Sequence, residues 1–499
     1  MIKDVRVRNA PSPTGFLHIG SMRTFLYNFL FARKNNGKFI LRIEDTDQNR
    51  LVEGSIQDII ETLEIFGLTP DEGFILKNGK VQEIGEFGPY IQSKRLDIYQ
   101  KHAQELIDKK AAYYCFCTPE RLDQLRKEQE AQKLPPKYDK FCLKLNPEEV
   151  SRRISSGEKH VIRLNVPPDQ KVSFDDLVFG HIEVSTNDID DQILLKSDGF
   201  PTYHLAVVVD DHLMQISHIT RSDEFIASTP KHVLIYKAFG WEMPYFVHFP
   251  PILSAVTKKK LSKREGDVAV KDFLDKGYLP EAIINFIAFQ GWNPKTEQEI
   301  FSLIELVQEF SLDKIHKAGA IFDLDKLDWF NSLYIRKLKI EELFALTLPY
   351  LIKAKIDTSK YPKQFIEKIL LLEQERLKKL SEIGERVAYF FKEPAYEPQI
   401  LIWKKSDKQI ILKNLEKLQQ FVQTLAADKF NKQTLETELK QFIQTNGMKN
   451  GEVLWPLRVA LSGLEASPGP FEIMETFAVL SEGKEIVLRR INAAVEKLF

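Results

Sequence analysis

The sequence has few cysteines and no long apolar run, and each absence excludes a class of protein. Three cysteines in 499 residues are too few for a disulfide framework, and residues 1–11 contain no apolar signal region. No apolar run approaches the roughly 20 residues of a membrane-spanning helix. We therefore expect a soluble protein in a reducing cytoplasm, with no membrane partner.

An excess of one charge sign is also missing. The chain has 70 Lys and Arg against 71 Asp and Glu, for a net charge of -1. The total charge therefore neither favours nor excludes a nucleic-acid partner, and a polyanion site must be a local patch. The length predicts about three or four domains. No heptad or internal repeat indicates self-association, so we expect a monomer.

The first residues predict a βαβ unit. Alternation through Val5 and Val7 is typical of a short strand, and apolar residues at spacings of three and four from Met22 predict a helix that stops near Gly37. A second strand follows with three apolar residues on one face: Phe39, Leu41 and Ile43. The loop after the first strand then lies where open α/β sheets bind ligands.

Composition divides the rest of the chain. Residues 111–145 combine aromatics, all three cysteines and a charged helix, which indicates an inserted domain. Apolar runs between turn signals in residues 191–221 read as strands and predict that the sheet resumes there. After about residue 336, Leu, Lys, Glu, Gln and Ile recur at helical spacing, so the last third should be mostly α-helical.

Two short segments are candidates for phosphate binding. "HIGS" at residues 18–21 precedes the first helix, whose N-terminal amides and dipole favour a phosphate, with His18 as a donor and Gly20 allowing close approach. "KKKLSKREG" at residues 258–266 has the composition of a mobile polyphosphate clamp. The alternatives are a solvated loop histidine and a solvated charge run. Neither the Walker pattern nor Gly-x-Gly-x-x-Gly is present.

These segments belong to a longer series of motifs with a known order. They are "PSPTGFLHIGS", "RIEDTD", "GFPTYHLAVVVDDHLM", "ITRSDE", "TPKHVLIYKAFGW", "KLSKREG", "FDLDKLDWFNSLYIR" and "WPLRVALSGLEASPGPFEI". In this order they resemble a class I aminoacyl-tRNA synthetase, and within that class a glutamyl-tRNA synthetase of the bacterial type. The resemblance covers nearly the whole chain.

The resemblance implies an α/β fold, in which a Rossmann-type catalytic domain is interrupted by an α+β acceptor-stem-binding domain and followed by all-α anticodon-binding domains. The implied boundaries are 1–105 and 201–255 for the two catalytic halves, 106–200 for the insertion, 256–335 for a stem-contact region with the "KLSKR" loop, and 336–499 for the helical domains.

The resemblance also implies an activity: glutamate reacts with ATP, with Mg²⁺ on the phosphates, and the glutamyl-adenylate is transferred to the 3′ end of tRNA(Glu). His18 and Lys263 would stabilise charge on the phosphate oxygens. The implied ATP-binding residues are His18, Gly20, Ser21, Glu224, Lys260, Ser262, Lys263 and Arg264. The implied glutamate-binding residues are Arg8, Ser12, Glu44, Tyr203 and Arg221, with Glu44 on the ammonium group.

Selection of glutamate has a physical basis in the two arginines. A guanidinium binds both oxygens of a carboxylate, and glutamine would leave it unpaired. Some relatives have asparagine where this chain has Val207, so a polar contact from that position is not expected.

Cys115, Cys117 and Cys142 reproduce most of a zinc pattern of some family members. The expected fourth ligand is Lys144, a poor zinc ligand, so the substitutes are His160 and Tyr138. The alternative to zinc is a set of reduced core thiols.

The resemblance implies a role for Arg376 in tRNA specificity, because it matches a helical position where members that charge only tRNA(Glu) tend to carry arginine, and the alternative for this residue is an exposed helix arginine. The alternative is a non-discriminating enzyme that also charges tRNA(Gln). A tRNA-modifying relative would lack the long helical region, and a glutaminyl enzyme would have β-barrel anticodon domains. A small-molecule nucleotidyltransferase would not need residues 336–499, and an inactive tRNA-binding protein should have lost His18 or Lys263.

Overall fold

The computed structural model describes residues 4–261 and 269–499. The chain forms two compact units, one of Met1–Phe273 with Ile283–Leu324 and one of Leu274–Ala282 with Asp325–Phe499. The strands are β1 (Arg6–Asn9), β2 (Lys38–Leu41), β3 (Glu72–Lys77), β4 (Lys80–Ile84), β5 (Ala112–Cys115), β6 (Val161–Leu164), β7 (Lys171–Asp176), β8 (Gly180–Ser185), β9 (Ile193–Leu195), β10 (His218–Ser222), β11 (Tyr245–Phe249), β12 (Ile252–Ser254) and β13 (Ala320–Phe322).

The helices are α1 (Ile19–Lys34), α2 (Ser55–Ile65), α3 (Leu96–Asp108), α4 (Pro119–Ala131), α5 (Pro147–Ser155), α6 (Tyr203–Leu213), α7 (Thr229–Phe239), α8 (Val270–Asp275), α9 (Pro280–Ala288), α10 (Leu303–Glu309), α11 (Leu324–Lys337), α12 (Ile340–Lys353), α13 (Lys363–Gln374), α14 (Ile383–Phe391), α15 (Lys408–Thr424), α16 (Lys432–Thr445), α17 (Asn450–Ser462), α18 (Pro470–Phe477) and α19 (Gly483–Leu498).

The first unit is built on an eight-stranded sheet with the order β4-β3-β2-β1-β10-β11-β7-β8. The strands from β3 to β7 in this order run parallel, and β4 and β8 pair antiparallel at the two edges. Because β1 has β2 on one side and β10 on the other, the order reverses between β1 and β10. Such a switch point opens a crevice at the carboxyl ends of the strands.

The predicted βαβ opening is confirmed as β1, α1 and β2. Strand β2 ends at Leu41, so Ile43 lies outside it and forms a single bridge with Ile91. The predicted helix begins earlier than Met22, at Ile19, because the side chain of His18 caps it. Gly37 is required by close approach, since a Cβ there would lie 2.2 Å from the carbonyl oxygen of Val5.

One strand prediction is wrong. The apolar run before Asp210 and Asp211 lies in helix α6, and only β9 and β10 on either side are strands. Residues Leu205 to Val209 are all buried, with at most 1% exposed. A helix that is buried on every side carries no polar stripe, so its sequence cannot be distinguished from that of a buried strand by periodicity.

Residues 106–200 supply strands to two sheets. Strands β5, β6 and β9 form a separate antiparallel sheet, next to a small core that contains Cys115 and Cys142. Strands β7 and β8 belong to the main sheet instead, where β7 pairs with β11. The implied domain boundaries stay a prediction.

The second unit is helical. Its largest core joins apolar faces of α12 to α19, including Leu343, Ile369, Leu415, Leu457 and Ile491. These faces recur at three and four residues, which confirms the predicted all-α C-terminal region. Together with the parallel sheet it confirms the predicted fold class. Within the described residues, no helix is long and apolar enough to span a membrane.

Candidate active site

A cleft of about 1130 Å³ lies at the switch point of the main sheet. The segment after β1 forms one wall and the segment after β10 forms the opposite wall, because the chain leaves these neighbouring strands in opposite directions. Ten of the residues implied for ATP or glutamate line this cleft: Arg8, Ser12, His18, Gly20, Ser21, Glu44, Tyr203, Arg221, Glu224 and Lys260. Their roles stay predictions.

His18 and Gly20 are joined at the N-terminus of α1. The Nδ1 atom of His18 accepts a hydrogen bond of 2.9 Å from the Gly20 amide. In a neutral imidazole the proton is then on Nε2, which makes that atom a hydrogen-bond donor. A Cβ at residue 20 would lie 3.2 Å from the His18 ring, so the glycine also leaves room for this cap.

The segments that flank the "KLSKR" loop are fixed beside the same cleft. Lys260 pairs with Leu253 in a β-bridge, and its ammonium forms an ion pair with Glu224. On the far side of the loop, Ala269 forms a bridge with His18. The other implied members of the loop, Ser262, Lys263 and Arg264, lie outside the described residues.

Arg221 is buried at the end of β10 and donates only to neutral partners among the described residues. Its Nε donates to His248 Nε2 at 3.0 Å, and its two Nη atoms donate to the Tyr203 hydroxyl and to Thr229 Oγ1, both at 2.8 Å. A further contact of 3.3 Å joins Nη1 to His232. No carboxylate of the described residues forms an ion pair with it.

The histidines around Arg221 are neutral at physiological pH. Burial lowers the pKa of His204 to about 3, and burial together with the Arg221 charge holds the pKa of His232 well below its usual range. Burial also lowers the pKa of His248. His248 and His232 therefore accept hydrogen bonds from Arg221 without adding or cancelling charge, and His204 contacts His232 behind them.

Arg8 has a different environment, since its guanidinium already binds a carboxylate. Its Nε and Nη2 atoms donate to the two oxygens of Asp211, each at 3.0 Å. Asp211 also accepts from Arg42 at 2.8 Å, and Arg42 donates to Glu44 at 3.0 Å. The positive charge of Arg8 is thus balanced within the protein, in a buried chain that leads to Glu44.

Glu44 is the member of this ion-pair series that brings a negative charge to the cleft. Burial raises its pKa above the usual range, although Arg42 and Arg8 oppose the shift. A carboxylate with this degree of burial is a suitable partner for a ligand ammonium group, which would replace the lost hydration. Val207 is buried in the core.

Sequence reasoning missed the network behind the cleft. Asp210 and Asp211 follow an apolar run in the sequence, and Asp210 accepts from Arg95, Gln92 and Tyr99 inside the core. Their position at the end of such a run was the available signal, because buried carboxylates need partners. His248, which contacts Arg221, gave no local signal.

The three cysteines lie together in the inserted region. Their sulfur atoms are all within 4.8 Å of one another, and those of Cys117 and Cys142 are 3.5 Å apart. The Tyr138 hydroxyl lies 3.4 Å from the Cys115 sulfur and 3.2 Å from the Cys117 sulfur. His160 does not belong to this cluster, and its Nδ1 atom approaches the Glu158 carbonyl instead. Of the two substitute ligands, the structure brings Tyr138 to the thiols.

Arg376 follows α13 in the helical unit. Its Nε atom lies 3.5 Å from the carboxylate of the buried Glu373, and its side chain is about one-third exposed. It lines a cavity of about 290 Å³ together with Trp329, Arg336 and Lys378. Two arginines, a lysine and an exposed aromatic ring share this cavity with two aspartates, Asp325 and Asp328. Cationic side chains beside an aromatic ring can contact a nucleotide.

Comparison with known proteins identifies two matching family models, several similar sequences and a similar solved structure. The family model described as tRNA synthetases class I (E and Q), catalytic domain, matches residues 4–329, and the model described as anticodon binding domain matches residues 342–495. The glutamate–tRNA ligase of Finegoldia magna is 46% identical over 99% of this chain and 100% of its own length. That of Alkaliphilus metalliredigens is 45% identical over the full length of both. The crystal structure of a glutamate tRNA ligase from Elizabethkingia meningosepticum in complex with its amino acid matches with a TM-score of 0.87 at 36% identity, over 100% of both chains.

Proposed function

Because the chain belongs to the glutamate–tRNA ligases of the class I tRNA synthetase family, we propose that it activates L-glutamate with ATP and transfers it to tRNA(Glu). The observation that carries the proposal is the composition of one cleft. A buried guanidinium with only neutral partners among the described residues lies in the same cleft as a capped helix N-terminus. The first site takes a carboxylate and the second takes a phosphate.

The phosphate end stabilises the charge that develops during adenylate formation. The glutamate α-carboxylate attacks the α-phosphorus in line, and pyrophosphate leaves. The Nε2 donor of His18 and the amides of the first turn of α1 contact the phosphate oxygens. Lys260, which pairs with Glu224 in the same cleft, brings a further ammonium group to this site, and Lys263, Ser262 and Arg264 act in the same loop by family analogy.

Mg²⁺ would enter the cleft bound to the phosphates of ATP. Asp47, Asp198 and Glu224 line the cleft with carboxylate oxygens, which Mg²⁺ prefers, but among the described residues they do not form a cluster that could hold the ion without the nucleotide. When bound with ATP, the ion neutralises part of the phosphate charge. The side chains of this chain do the remaining work: they bind and orient the triphosphate against the amino acid.

The amino-acid end distinguishes glutamate from glutamine by charge. Arg221 and the hydroxyl of Tyr203 bind the side-chain carboxylate, and Glu44 binds the ammonium group, with Ser12 and Arg8 beside them. A carboxamide would present an N–H group to Arg221 and leave one of its donors unpaired. A polar mismatch of this kind discriminates far more strongly than a difference in size.

The helical unit reads the tRNA. Arg376 extends into a cavity with an exposed aromatic ring, where a long donor side chain can reach the edge of an anticodon base. We assign it the discrimination of tRNA(Glu) from tRNA(Gln), so that only the former is charged.

Zinc fits the cysteine cluster. Tetrahedral zinc with sulfur ligands at 2.3 Å separates the sulfurs by about 3.8 Å, a spacing that suits the three thiols. The Tyr138 phenol, whose pKa is raised by burial, is a weaker fourth donor than the usual Cys, His or carboxylate ligands. Cys115, Cys117, Cys142 and Tyr138 would hold the ion as a structural site. Bound there, it would cross-link β5 to the segment before α5.

Glutamate charging of purified tRNA(Glu) with ATP tests the function directly. We expect formation of glutamyl-tRNA, and ATP–pyrophosphate exchange that requires glutamate and tRNA together. A complete absence of both reactions in folded protein would contradict the proposal and favour an inactive tRNA-binding protein.

A further inference from the structure

Arg221 is connected to Asp176 through His248, across three adjacent strands of the main sheet. Strands β10, β11 and β7 run parallel, and the register pairs Arg221 with His248 and Phe246 with Asp176. The side chains of His248 and Asp176 are completely buried. None of the sequence motifs that indicate the function contains His248 or Asp176.

Asp176 accepts four hydrogen bonds. Its Oδ1 atom accepts from the amides of Val178 and Phe179, at 2.9 and 2.8 Å. Its Oδ2 atom accepts from the amide and from the Nδ1 atom of His248, at 3.0 and 2.6 Å. Because every partner is a donor, the carboxylate is fixed in place as an acceptor at the carboxyl end of β7.

This arrangement determines the tautomer of His248. With Nδ1 donating to Asp176, the proton of the neutral ring is on Nδ1, and Nε2 is left as an acceptor. That acceptor faces the Nε–H group of Arg221 at 3.0 Å. In the other tautomer two N–H groups would face each other, and Arg221 would have to leave this position.

The imidazole also keeps the carboxylate away from the guanidinium. Arg8 shows the contrast, because Asp211 binds it directly and balances its charge. Arg221 is oriented by a neutral ring, so its charge stays available to a ligand, while Asp176 acts on it only through His248. The group that orients Arg221 therefore does not neutralise its charge.

We propose that His248 and Asp176 are positioning residues for Arg221, and that they make this pocket select a carboxylate side chain. The inference rests on the proposed function, since the carboxylate in question is that of glutamate. It adds a specificity-determining pair that does not itself touch the substrate.

Two substitutions at His248 separate its contacts. Asparagine is short, and its amide lies near the original Nδ1, so His248→Asn keeps a donor for Asp176 but leaves the Nε–H group of Arg221 without its acceptor. Glutamine reaches further, so His248→Gln provides an acceptor for Arg221. We expect His248→Asn to raise the KM for glutamate at least about tenfold, as for a lost hydrogen bond to a charged group, with KM for ATP unchanged. His248→Gln should restore most of the affinity.

His218 provides a matched control for removing a buried histidine. It lies on β10, the strand that also carries Arg221, and it contacts Ser217 and the rings of Phe31 and Tyr245. His218→Asn should lower stability but leave the KM for glutamate unchanged.

Asp176→Asn gives an independent variant. The amides of Val178 and Phe179 hold the carbonyl oxygen of the asparagine, so its NH2 group replaces the acceptor that faces His248 Nδ1. The KM for glutamate should therefore also rise.

The assay is charging of tRNA(Glu), with glutamate and ATP varied separately and glutamine as a competitor. Since KM does not depend on the folded fraction, a partly folded variant still gives a result. Equal KM values for glutamate in His248→Asn, His248→Gln and the wild type overturn the inference and leave the function intact. A rise in both KM values in His248→Asn and His218→Asn alike also overturns it, because the role is then structural. A wild type that does not charge tRNA with glutamate contradicts the function itself.

Discussion

The imidazole of His18 accepts a hydrogen bond from the backbone amide of Gly20, so one side chain both caps helix α1 and directs its other nitrogen as a donor at the N-terminus of that helix. The cap determines which nitrogen carries the proton. A structural role and a chemical role therefore depend on different atoms of the same ring, and substitutions can separate them.

His18→Asn should separate the two roles. Asparagine is a favourable capping residue but has no donor at the position of Nε2. We expect kcat for tRNA charging to fall about a hundredfold, as for one lost oxyanion donor, with thermal stability unchanged. His18→Ala should lose the same activity and about 1 kcal/mol of stability in addition. An asparagine variant with wild-type kcat would exclude His18 from charge stabilisation.

Glu44 should give glutamate binding a pH dependence. Burial raises its pKa above the usual range, so the carboxylate is protonated at a higher pH than an exposed glutamate, and the ammonium contact is lost as the pH falls. We expect kcat/KM for glutamate to decline on the acid side of neutrality. Glu44→Gln should be about tenfold or more weaker and lack this acid limb. The KM for ATP at each pH is the control, and a Gln variant with the wild-type profile would contradict the assignment.

Arg376→Gln should relax tRNA selection. A glutamine lacks the charge and the reach of arginine, so the variant should charge tRNA(Gln) more readily while glutamate activation is unchanged. The measurement is charging of purified tRNA(Glu) and tRNA(Gln) under identical conditions. Unchanged selectivity would remove Arg376 from tRNA discrimination, and charging of both tRNAs by the wild type would show a non-discriminating enzyme.

Glu373 should make the helical unit more stable at lower pH. Burial raises its pKa to about 7, although Arg376 and Arg386 oppose the shift. The unfolded chain binds the proton less tightly than the folded chain does, so the favourable contribution is present below the ordinary pKa of glutamate and is lost as the pH rises through 7. Glu373→Gln should therefore stabilise the protein more at pH 8 than at pH 5, by about 2 kcal/mol.

Calorimetry of the full chain at the two pH values measures this difference. Glu382→Gln is a control on the neighbouring segment, since Glu382 is partly exposed and pairs with Arg386 and Lys379. An equal effect of Glu373→Gln at both pH values would show that Glu373 is ionised throughout.

The cysteine cluster should contain zinc in protein purified without a chelator. We expect about one equivalent, and its loss in Cys117→Ser, because thiolates supply most of the affinity. Tyr138→Phe removes only the fourth donor, so it should weaken retention against a chelator without abolishing binding. Clearly sub-stoichiometric zinc in the wild type would show that these are reduced core thiols.

Local patterns alone determined the first βαβ unit and the helical C-terminal region, and the resemblance of the motifs to a known family implied the residues that line the cleft. Strand alternation, helical spacing and motifs such as those around His18 and Arg221 depend on neighbours in the chain, so the sequence displays them. The same holds for the three cysteines, whose spacing indicated one cluster.

Tertiary structure decided what depends on burial and on strand order. Helix α6 reads as strand because residues 205–209 are an unbroken, buried apolar run, and no periodicity is left within it to distinguish the two. The pairing of β7 with β11 brings Asp176 to His248, and the pairing of β11 with β10 brings His248 to Arg221. Likewise, only the fold shows that Arg8 is balanced by Asp211 while Arg221 is not paired with a carboxylate of the described residues. These contacts join residues that are far apart in the chain, and no local pattern records which strands become neighbours.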